Sequence, residues 1–159
     1  MQRTESSRDG GRSPEPVVLC ADDDPDDRLL LADAARECGL GRVVFVEDGE
    51  QVLAYLRGDG PYADRSAAPP PALVLLDLNM PRKDGREALR EIKADPALRS
   101  IPVVVLTTSS ATSDVATVYD EGASSYVVKP LSYDGLIGVL EELSRYWFQT
   151  VRLPEGKRA

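Results

Sequence analysis

The chain has 159 residues, which suffices for one domain with a single hydrophobic core, and 42% of them are hydrophobic. Its formal net charge of -8 disfavours a nucleic-acid partner, because such binding usually requires a basic surface. The sequence contains no histidine, which excludes a phosphohistidine donor, a histidine-dependent catalytic triad and most zinc sites.

The two ends of the chain differ in character from its middle. Residues 1–15 are polar and lack apolar periodicity, so we expect a disordered tail there, a folded domain over residues 16–148 and a second tail over residues 149–159. No segment is apolar enough for a signal peptide or a membrane span, and Cys20 and Cys38 lack the spacing of metal ligands. The sequence therefore predicts a cytoplasmic protein with reduced cysteines and no membrane partner.

Short apolar segments alternate with amphipathic ones, which is the pattern of parallel strands joined by helices. The predicted strands are, in chain order, 17–21, 43–46, 73–76, 103–106 and 126–128. Each is followed by a predicted helix; the first is capped by Asp24, the second opens at Asp48-Gly49 and the last is capped by Ser132. A Gly- and Pro-rich connection, residues 58–71, precedes the third strand.

The order of these elements predicts an α/β fold. Strands this apolar are buried on both faces, as in a doubly wound parallel sheet. Right-handed crossovers and the known flavodoxin-like arrangement then give a (βα)5 fold, with a five-stranded parallel sheet of order 2-1-3-4-5. In such sheets, ligands bind beyond the carboxyl ends of the strands.

Polar residues that can carry chemistry follow four of the predicted strands. Asp22 and Asp23 follow the first strand, Asp77 the third, Thr107 the fourth and Lys129 the fifth. Two carboxylates about 4 Å apart repel by roughly 4 kcal/mol at an effective dielectric constant near 20, so either a cation binds or a pKa rises. Mg²⁺ suits such oxygen ligands, and it keeps several bound waters whose places the oxygens of a substrate phosphate can take. The cluster predicts a site at which the Asp77 carboxylate forms an aspartyl phosphate.

The motifs at these strand ends resemble the receiver domain of two-component response regulators. The acidic pair, LLDLNMPRKDG, VVVLTTSS and SSYVVKP occur in the family's order over residues 16–148. The resemblance implies that a partner histidine kinase phosphorylates Asp77. It implies a signalling protein rather than an enzyme, with slow autodephosphorylation and Mg²⁺ as cofactor. The metal ligands would be Asp22, Asp23, Asp77 and the backbone carbonyl of Asn79.

The same resemblance gives roles to residues at the later strand ends. Thr107, Thr108 and Lys129 would bind the phosphoryl group, and Thr107 and Tyr126 would move together as a switch. Thr108 is larger than the alanine often found at its position, and we expect it to slow access to the phosphoryl group. Pro130 would follow Lys129 in a cis peptide, as is usual in the family.

A narrower resemblance concerns the partner. The Pro-rich loop before the third strand, the sequence KDGREALREIKADPALRSIPVVVLTTSS and the tail SRYWFQTVRLP look like the small receivers that serve bacterial phytochrome histidine kinases. Phe148 lies off the apolar stripe predicted for the last helix, so we expect it to pack on a second subunit of a homodimer. With no effector domain predicted, output would be a partner contact, a phosphorelay step or drainage of phosphate from the kinase.

Two other functions stay open on the sequence alone. Asp22-x-Asp24, Thr107 and Lys129 also resemble the haloacid-dehalogenase phosphatases, in which Asp22 would carry the phosphoryl group. That family expects a further acidic pair after the lysine, whereas Glu141-Glu142 falls in the middle of a predicted helix and Asp77 would have no role. The third possibility is a degenerate receiver that only binds partners, which the complete residue set disfavours.

Overall fold

The structure, a computed structural model, describes residues 15–154, so the expectations for residues 1–14 and 155–159 lie outside the described residues. Five strands form one parallel sheet of order β2-β1-β3-β4-β5. This confirms the predicted α/β, flavodoxin-like fold and its strand order. The strands are β1 (Val17–Ala21), β2 (Arg42–Val46), β3 (Leu73–Leu76), β4 (Val103–Thr107) and β5 (Ser125–Val128).

Five α-helices alternate with the strands, and most begin at a side-chain cap. They are α1 (Pro25–Cys38), α2 (Gly49–Arg57), α3 (Gly85–Ala94), α4 (Thr112–Asp120) and α5 (Tyr133–Arg145). Asp24, Asp48, Asp84 and Ser132 accept hydrogen bonds from backbone N–H groups in the first turns of α1, α2, α3 and α5. These caps fix each helix start close to the strand that precedes it. Between residues 15 and 154, no helix is long and apolar enough to cross a membrane.

The core consists of two apolar layers, one on each face of the sheet. Alternate strand residues face opposite layers, as Val18 and Leu19 do on β1. Helices α1 and α5 cover one face, while α2, α3 and α4 cover the other. Every residue of β1, β3 and β4 is buried. With both faces covered, the polar residues that follow these strands lie at the open edge of the sheet.

The long connection between α2 and β3 is packed against α2. The fully buried Tyr55 donates its hydroxyl to the carbonyl of Pro69 at 2.8 Å. Arg65 donates to the carbonyls of Tyr55 and Leu56 at the end of α2, at 2.7 and 3.1 Å. These bonds satisfy helix carbonyls that have no partner within the helix. These hydrogen bonds therefore hold the segment in one position against α2, although it is rich in glycine and proline.

The end of α5 departs from the predicted helical spacing. Helix α5 continues into a π-helical turn, Tyr146–Thr150, and the Val151 N–H donates to the Tyr146 carbonyl at 2.9 Å. Phe148 is half-buried against the layer formed by α1 and α5. Its packing on a second subunit stays a prediction, which concerns the part of the ring that this layer leaves exposed. A π-turn has more residues per turn than the 3.6 period assumed, so it rotates Phe148 back towards its own core.

Candidate functional site

The register of the sheet brings the predicted strand-end residues to one edge. Ala21 of β1 pairs with Leu76 of β3, so Asp22 and Asp77 follow paired neighbours. The backbone N–H of Asp77 donates to the carbonyl of Ala21 at 3.0 Å, which extends the ladder by one bond. Thr107 ends β4 and is fully buried. The carboxyl ends of β1, β3 and β4 therefore form the floor of the site.

Three carboxylates at this edge can reach one ion. Asp22, Asp23 and Asp77 each offer an oxygen atom, and these atoms lie within 4.8 Å of one another. Asp22 and Asp77 are buried, whereas Asp23 is exposed. Burial raises the pKa of Asp22, although its hydrogen bond with Lys129 opposes this shift. A set of hard oxygen donors with a buried negative charge fits a divalent cation such as Mg²⁺.

Lys129 is shared between three carboxylates. Its ammonium donates to Oδ2 of Asp22 at 2.5 Å, to Oδ2 of Asp77 at 2.8 Å and to Oδ2 of Asp27 at 3.1 Å. The side chain is only 10% exposed. Burial acts to lower the pKa of Lys129, but the hydrogen bonds to Asp22 and Asp77 outweigh it and raise that pKa above its usual range. Lys129 therefore carries a full positive charge at the site.

The Asp77 carboxylate is fixed by donors on both oxygens. Its Oδ1 accepts from the Thr107 hydroxyl at 3.0 Å and from the backbone N–H of Asn79 at 3.2 Å. Its Oδ2 accepts from Lys129. The start of α3 also lies against Asp77, since a Cβ at Gly85 would collide with the Asp77 carbonyl. The carboxylate is thereby held at a fixed orientation beside the Lys129 ammonium and the Thr107 hydroxyl.

Tyr126 is joined to the segment that follows Thr107. Its ring is half-buried against the core layer of α2, α3 and α4, and its hydroxyl donates to the Ser109 carbonyl at 2.7 Å. The Ser109 hydroxyl in turn donates to Asp114 at 2.7 Å, and Arg86 donates to the same carboxylate at 2.8 Å. Thr107 and Tyr126 are thus connected through the β4–α4 loop, although they do not bond to each other.

The structure places two of the remaining predicted residues less centrally. Thr108 is exposed at the start of the β4–α4 loop. Pro130 is half-buried after Lys129, and the peptide bond between them is trans, as are the others between residues 15 and 154. The cis peptide expected there is therefore a wrong prediction. The trans form of a bond to proline is favoured by about 0.5–1 kcal/mol, and Lys129 reaches its three partners from it.

Two residues that contact the site were missed or misread from the sequence. Asp27 is an acid in the first turn of α1 to which we assigned no role at the site, yet its carboxylate accepts a hydrogen bond from Lys129. Helical side chains tilt towards the N-terminus, and this tilt could have shown that a third-position acid points back to the strand end. Arg28 donates to the Asp22 carbonyl at 2.8 Å and pairs with Glu47 at 3.2 Å. Nothing in the local pattern distinguishes Arg28 from a surface arginine.

Comparison with known proteins supplies the family. The sequence model of one protein family, the response regulator receiver domain, matches residues 18–141 of this chain. The chain belongs to the response regulator receiver domain family. It is accordingly a phosphoacceptor protein of two-component signalling, and the haloacid-dehalogenase alternative does not hold. In agreement, Glu141 and Glu142 are exposed on α5, away from the open edge of the sheet.

Relatives of this receiver include regulators associated with phytochromes. The chain is 36% identical over 143 residues to response regulator Rcp1 of Synechocystis sp., covering 89% of this chain and 95% of Rcp1. Its fold matches the phosphorylated cyanobacterial phytochrome response regulator RcpA with a TM-score of 0.81 and 39% identity, covering 90% and 100% of the two chains. It matches response regulator RPA3017 in red light signaling of R. palustris with a TM-score of 0.84 and 38% identity, covering 88% and 99%.

Proposed function

We propose that this receiver accepts a phosphoryl group on Asp77 from the phosphohistidine of a partner histidine kinase, in a reaction that depends on Mg²⁺. The observation that carries the proposal is the arrangement around Asp77. Its carboxylate contacts Thr107 and Lys129, while Asp22 and Asp23 lie within reach of a shared cation. This is an acidic nucleophile with its charge-neutralising partners in place.

The transfer needs little chemistry from the protein beyond position and charge. An oxygen of the Asp77 carboxylate forms a bond to phosphorus as the bond from phosphorus to the histidine nitrogen breaks, and the electron pair stays on that nitrogen. Lys129 and the Thr107 hydroxyl bind phosphoryl oxygens, and the backbone N–H of Thr108 approaches another. Asp22, Asp23, Asp77 and the carbonyl of Asn79 would hold Mg²⁺. When bound, Mg²⁺ supplies neutralisation of the charge on the carboxylates and the phosphoryl oxygens.

The phosphorylated state is the signal in this proposal. Water attacks phosphorus slowly, which releases inorganic phosphate and restores the Asp77 carboxylate, so the chain is a self-resetting signalling protein. Thr107 shifts towards the phosphoryl group, and Tyr126 moves with the loop that contains its acceptor, Ser109. The movement changes the face formed by α4, β5 and α5. Phosphorylation thus shifts the population between two packings of that face.

We propose that the partner kinase is a bacterial phytochrome. This rests on the similarity to Rcp1, to the phytochrome response regulator RcpA and to the red-light regulator RPA3017. Exposed apolar side chains beside the site, Leu30 on α1 and Leu131 after Lys129, offer contact surface to the protein that brings its histidine to Asp77. The proposal places the exchange in the cytoplasm, where thiols such as Cys20 and Cys38 stay reduced.

We also propose that the receiver forms a homodimer through the end of α5. A groove of about 340 Å³ lies there, with Val127, Val139, Leu143 and Trp147 among its lining residues. Tyr146 stands beside it and is 51% exposed. Light scattering tests this proposal. We expect twice the chain mass for the wild type at micromolar concentration and a lower mass for Tyr146→Glu. A mass equal to the monomer at high concentration contradicts it.

Labelling with a small phosphodonor tests the central proposal. The protein is incubated with labelled phosphoramidate, with and without Mg²⁺, and compared with Asp77→Ala. Asp59→Ala is the matched control, because Asp59 is an exposed acid without a side-chain cap bond. We expect labelling of the wild type and of the control only with Mg²⁺, and none of Asp77→Ala. Labelling of Asp77→Ala at the wild-type rate would refute the proposal. An unlabelled wild type would instead support a degenerate receiver.

A further inference from the structure

Lys129 has no hydrogen-bond donor left over for a further partner. An ammonium group carries three N–H donors, and three carboxylates accept from Lys129. Before Lys129 can donate to a phosphoryl oxygen, it must therefore release one of its present acceptors. Which acceptor is released determines how readily the site takes a phosphoryl group.

The three acceptors are not equivalent. Asp22 is 1% exposed and gives the shortest of the three contacts, and its Oδ1 also accepts the backbone N–H of Asp24. Asp77 is the proposed nucleophile and is held by Thr107 as well. Asp27 gives the longest contact, 3.1 Å, and its side chain is 38% exposed. Water can replace Lys129 at Asp27 far more easily than at a buried carboxylate, so Asp27 is the acceptor that is released.

We propose that Asp27 restrains phosphorylation by competing with the phosphoryl group for the Lys129 ammonium. The inference rests on the proposed function, since it concerns the same lysine. Asp27 is a positioning residue in this role, because it contacts Lys129 and acts on the phosphoryl group only through it. In the unphosphorylated protein it holds the third donor of Lys129, and the arriving phosphoryl oxygen takes its place.

Removal of the Asp27 carboxylate is the direct test. Asp26→Ala is the matched control, because Asp26 is an exposed acid in the same first turn of α1. Its replacement removes the same charge as the replacement of Asp27. The probe is beryllofluoride with Mg²⁺, an anionic mimic of the phosphoryl group, and its affinity is read by ¹⁹F NMR. The rate of labelling by phosphoramidate is measured beside it, and thermal unfolding shows that each variant is folded.

We expect Asp27→Ala to bind beryllofluoride about twofold to fivefold more tightly than Asp26→Ala, and to label faster by a similar factor. Asp27→Glu, which restores a carboxylate, is expected to return both values towards those of the wild type. A purely structural role for Asp27 would change unfolding but would not give a tighter complex that the glutamate reverses.

Two results overturn the inference. Equal affinities of Asp27→Ala and Asp26→Ala would show that only the general charge matters, and weaker binding by Asp27→Ala would show that Asp27 aids Lys129. Either result leaves the proposed function intact as long as the wild type is labelled at Asp77. Failure of the wild type to bind the mimic or take the label overturns both together.

Discussion

At the scale of single residues, the site depends on opposite charges buried side by side. Lys129 lies within 2.8 Å of oxygens of both Asp22 and Asp77, and all three side chains are at most 10% exposed. Breaking a buried ion pair by removing one partner is costly because the other charge is left without compensation. A divalent cation can supply the same compensation at the carboxylates. Stability and metal binding are therefore coupled at this site.

Replacement of Lys129 by methionine tests this coupling. We expect Lys129→Met to lower the free energy of unfolding by about 2 kcal/mol without metal, because Asp22 and Asp77 then repel each other without a counter-charge. Millimolar Mg²⁺ should restore most of the loss in urea unfolding experiments. Arg57→Met is the control, since Arg57 pairs with Asp95 at the C-terminal ends of α2 and α3, away from the acidic cluster. An equal response of the two variants to Mg²⁺ would contradict the coupling.

The Cys20 thiol shows the effect of burial on the pKa of a group beside the acidic cluster. Burial raises the pKa of Cys20 to about 12, and the nearby Asp22 adds to the shift. Thiolate is the reactive form and increases with pH, so at pH 8 Cys20 stays almost entirely in the unreactive thiol form. We expect iodoacetamide to modify Cys20 only after unfolding, and to modify the half-buried Cys38 first, as measured by peptide mass spectrometry. Modification of Cys20 in the folded protein at the rate of Cys38 would show that the thiol is accessible.

At the scale of elements, the turn between β2 and α2 supports the loop that follows Asp77. Asp48, the buried cap of α2, pairs with Arg82 of that loop at 2.6 Å. The N–H of Gly49 donates to the Lys83 carbonyl at 2.8 Å, and a Cβ at Gly49 would collide with that carbonyl. Since the same loop contains Asn79, whose carbonyl is a proposed metal ligand, these contacts connect α2 to the metal site.

A methyl group at Gly49 tests this connection. We expect Gly49→Ala to lower the free energy of unfolding by about 1–3 kcal/mol, because the loop must move to admit the new atom. Mg²⁺ affinity, measured by titration, should fall with it. Gly138→Ala is the matched control: it lies within α5 with nothing within 4 Å of the added carbon, so it should stabilise by about 0.5–1 kcal/mol. Unchanged Mg²⁺ affinity in Gly49→Ala would separate the turn from the metal site.

The sequence sufficed for elements whose signals are local. Apolar runs bounded by Asp24 and Asp48 predicted where β1 and β2 end and where α1 and α2 begin, because caps act within a few residues. The strand order came from the known fold, and it then placed Asp22 and Asp77 at one edge. Helical periodicity could not predict the π-turn at Tyr146–Thr150, because that turn changes the period on which the prediction rests.

The sequence pattern could not predict contacts between segments that are far apart in the chain. Asp27 and Lys129 are 102 residues apart, and their contact depends on the packing of α1 against α5, the helix that follows Lys129. The trans peptide before Pro130 was missed for another reason: the cis form was predicted from the family resemblance alone. The Asp48–Arg82 pair likewise joins two loops that are 34 residues apart. Such pairs become predictable only once the fold is known.

At the scale of the whole molecule, the proposed switch requires that phosphorylation at Asp77 change the conformation of another face of the domain. The Tyr126 hydroxyl bonds to Ser109, and Ser109 and Arg86 both bond to Asp114 of α4. A shift of the β4–α4 loop therefore moves Tyr126 and the start of α4 together. The face of α4, β5 and α5 is where the change would be presented to a partner.

The environment of Tyr126 reports this change. We expect beryllofluoride with Mg²⁺ to shift the ring resonances of Tyr126 and the amide resonances of residues 108–114 in NMR spectra. Tyr55, whose hydroxyl donates to the Pro69 carbonyl near the C-terminal end of α2, is the internal control and should shift little. Asp77→Ala should abolish the response. An unchanged Tyr126 environment on binding of the mimic would contradict the proposed switch.

The proposal that Asp77 carries the phosphoryl group can be tested by locating the modified residue chemically. After phosphorylation with Mg²⁺ and phosphoramidate, borohydride reduces the acyl phosphate and converts the modified aspartate to homoserine, which peptide mass spectrometry locates. We expect homoserine at residue 77 in the wild type, and none in protein treated without Mg²⁺. Homoserine at residue 22 would contradict it, because Asp22 would then be the nucleophile rather than a metal ligand.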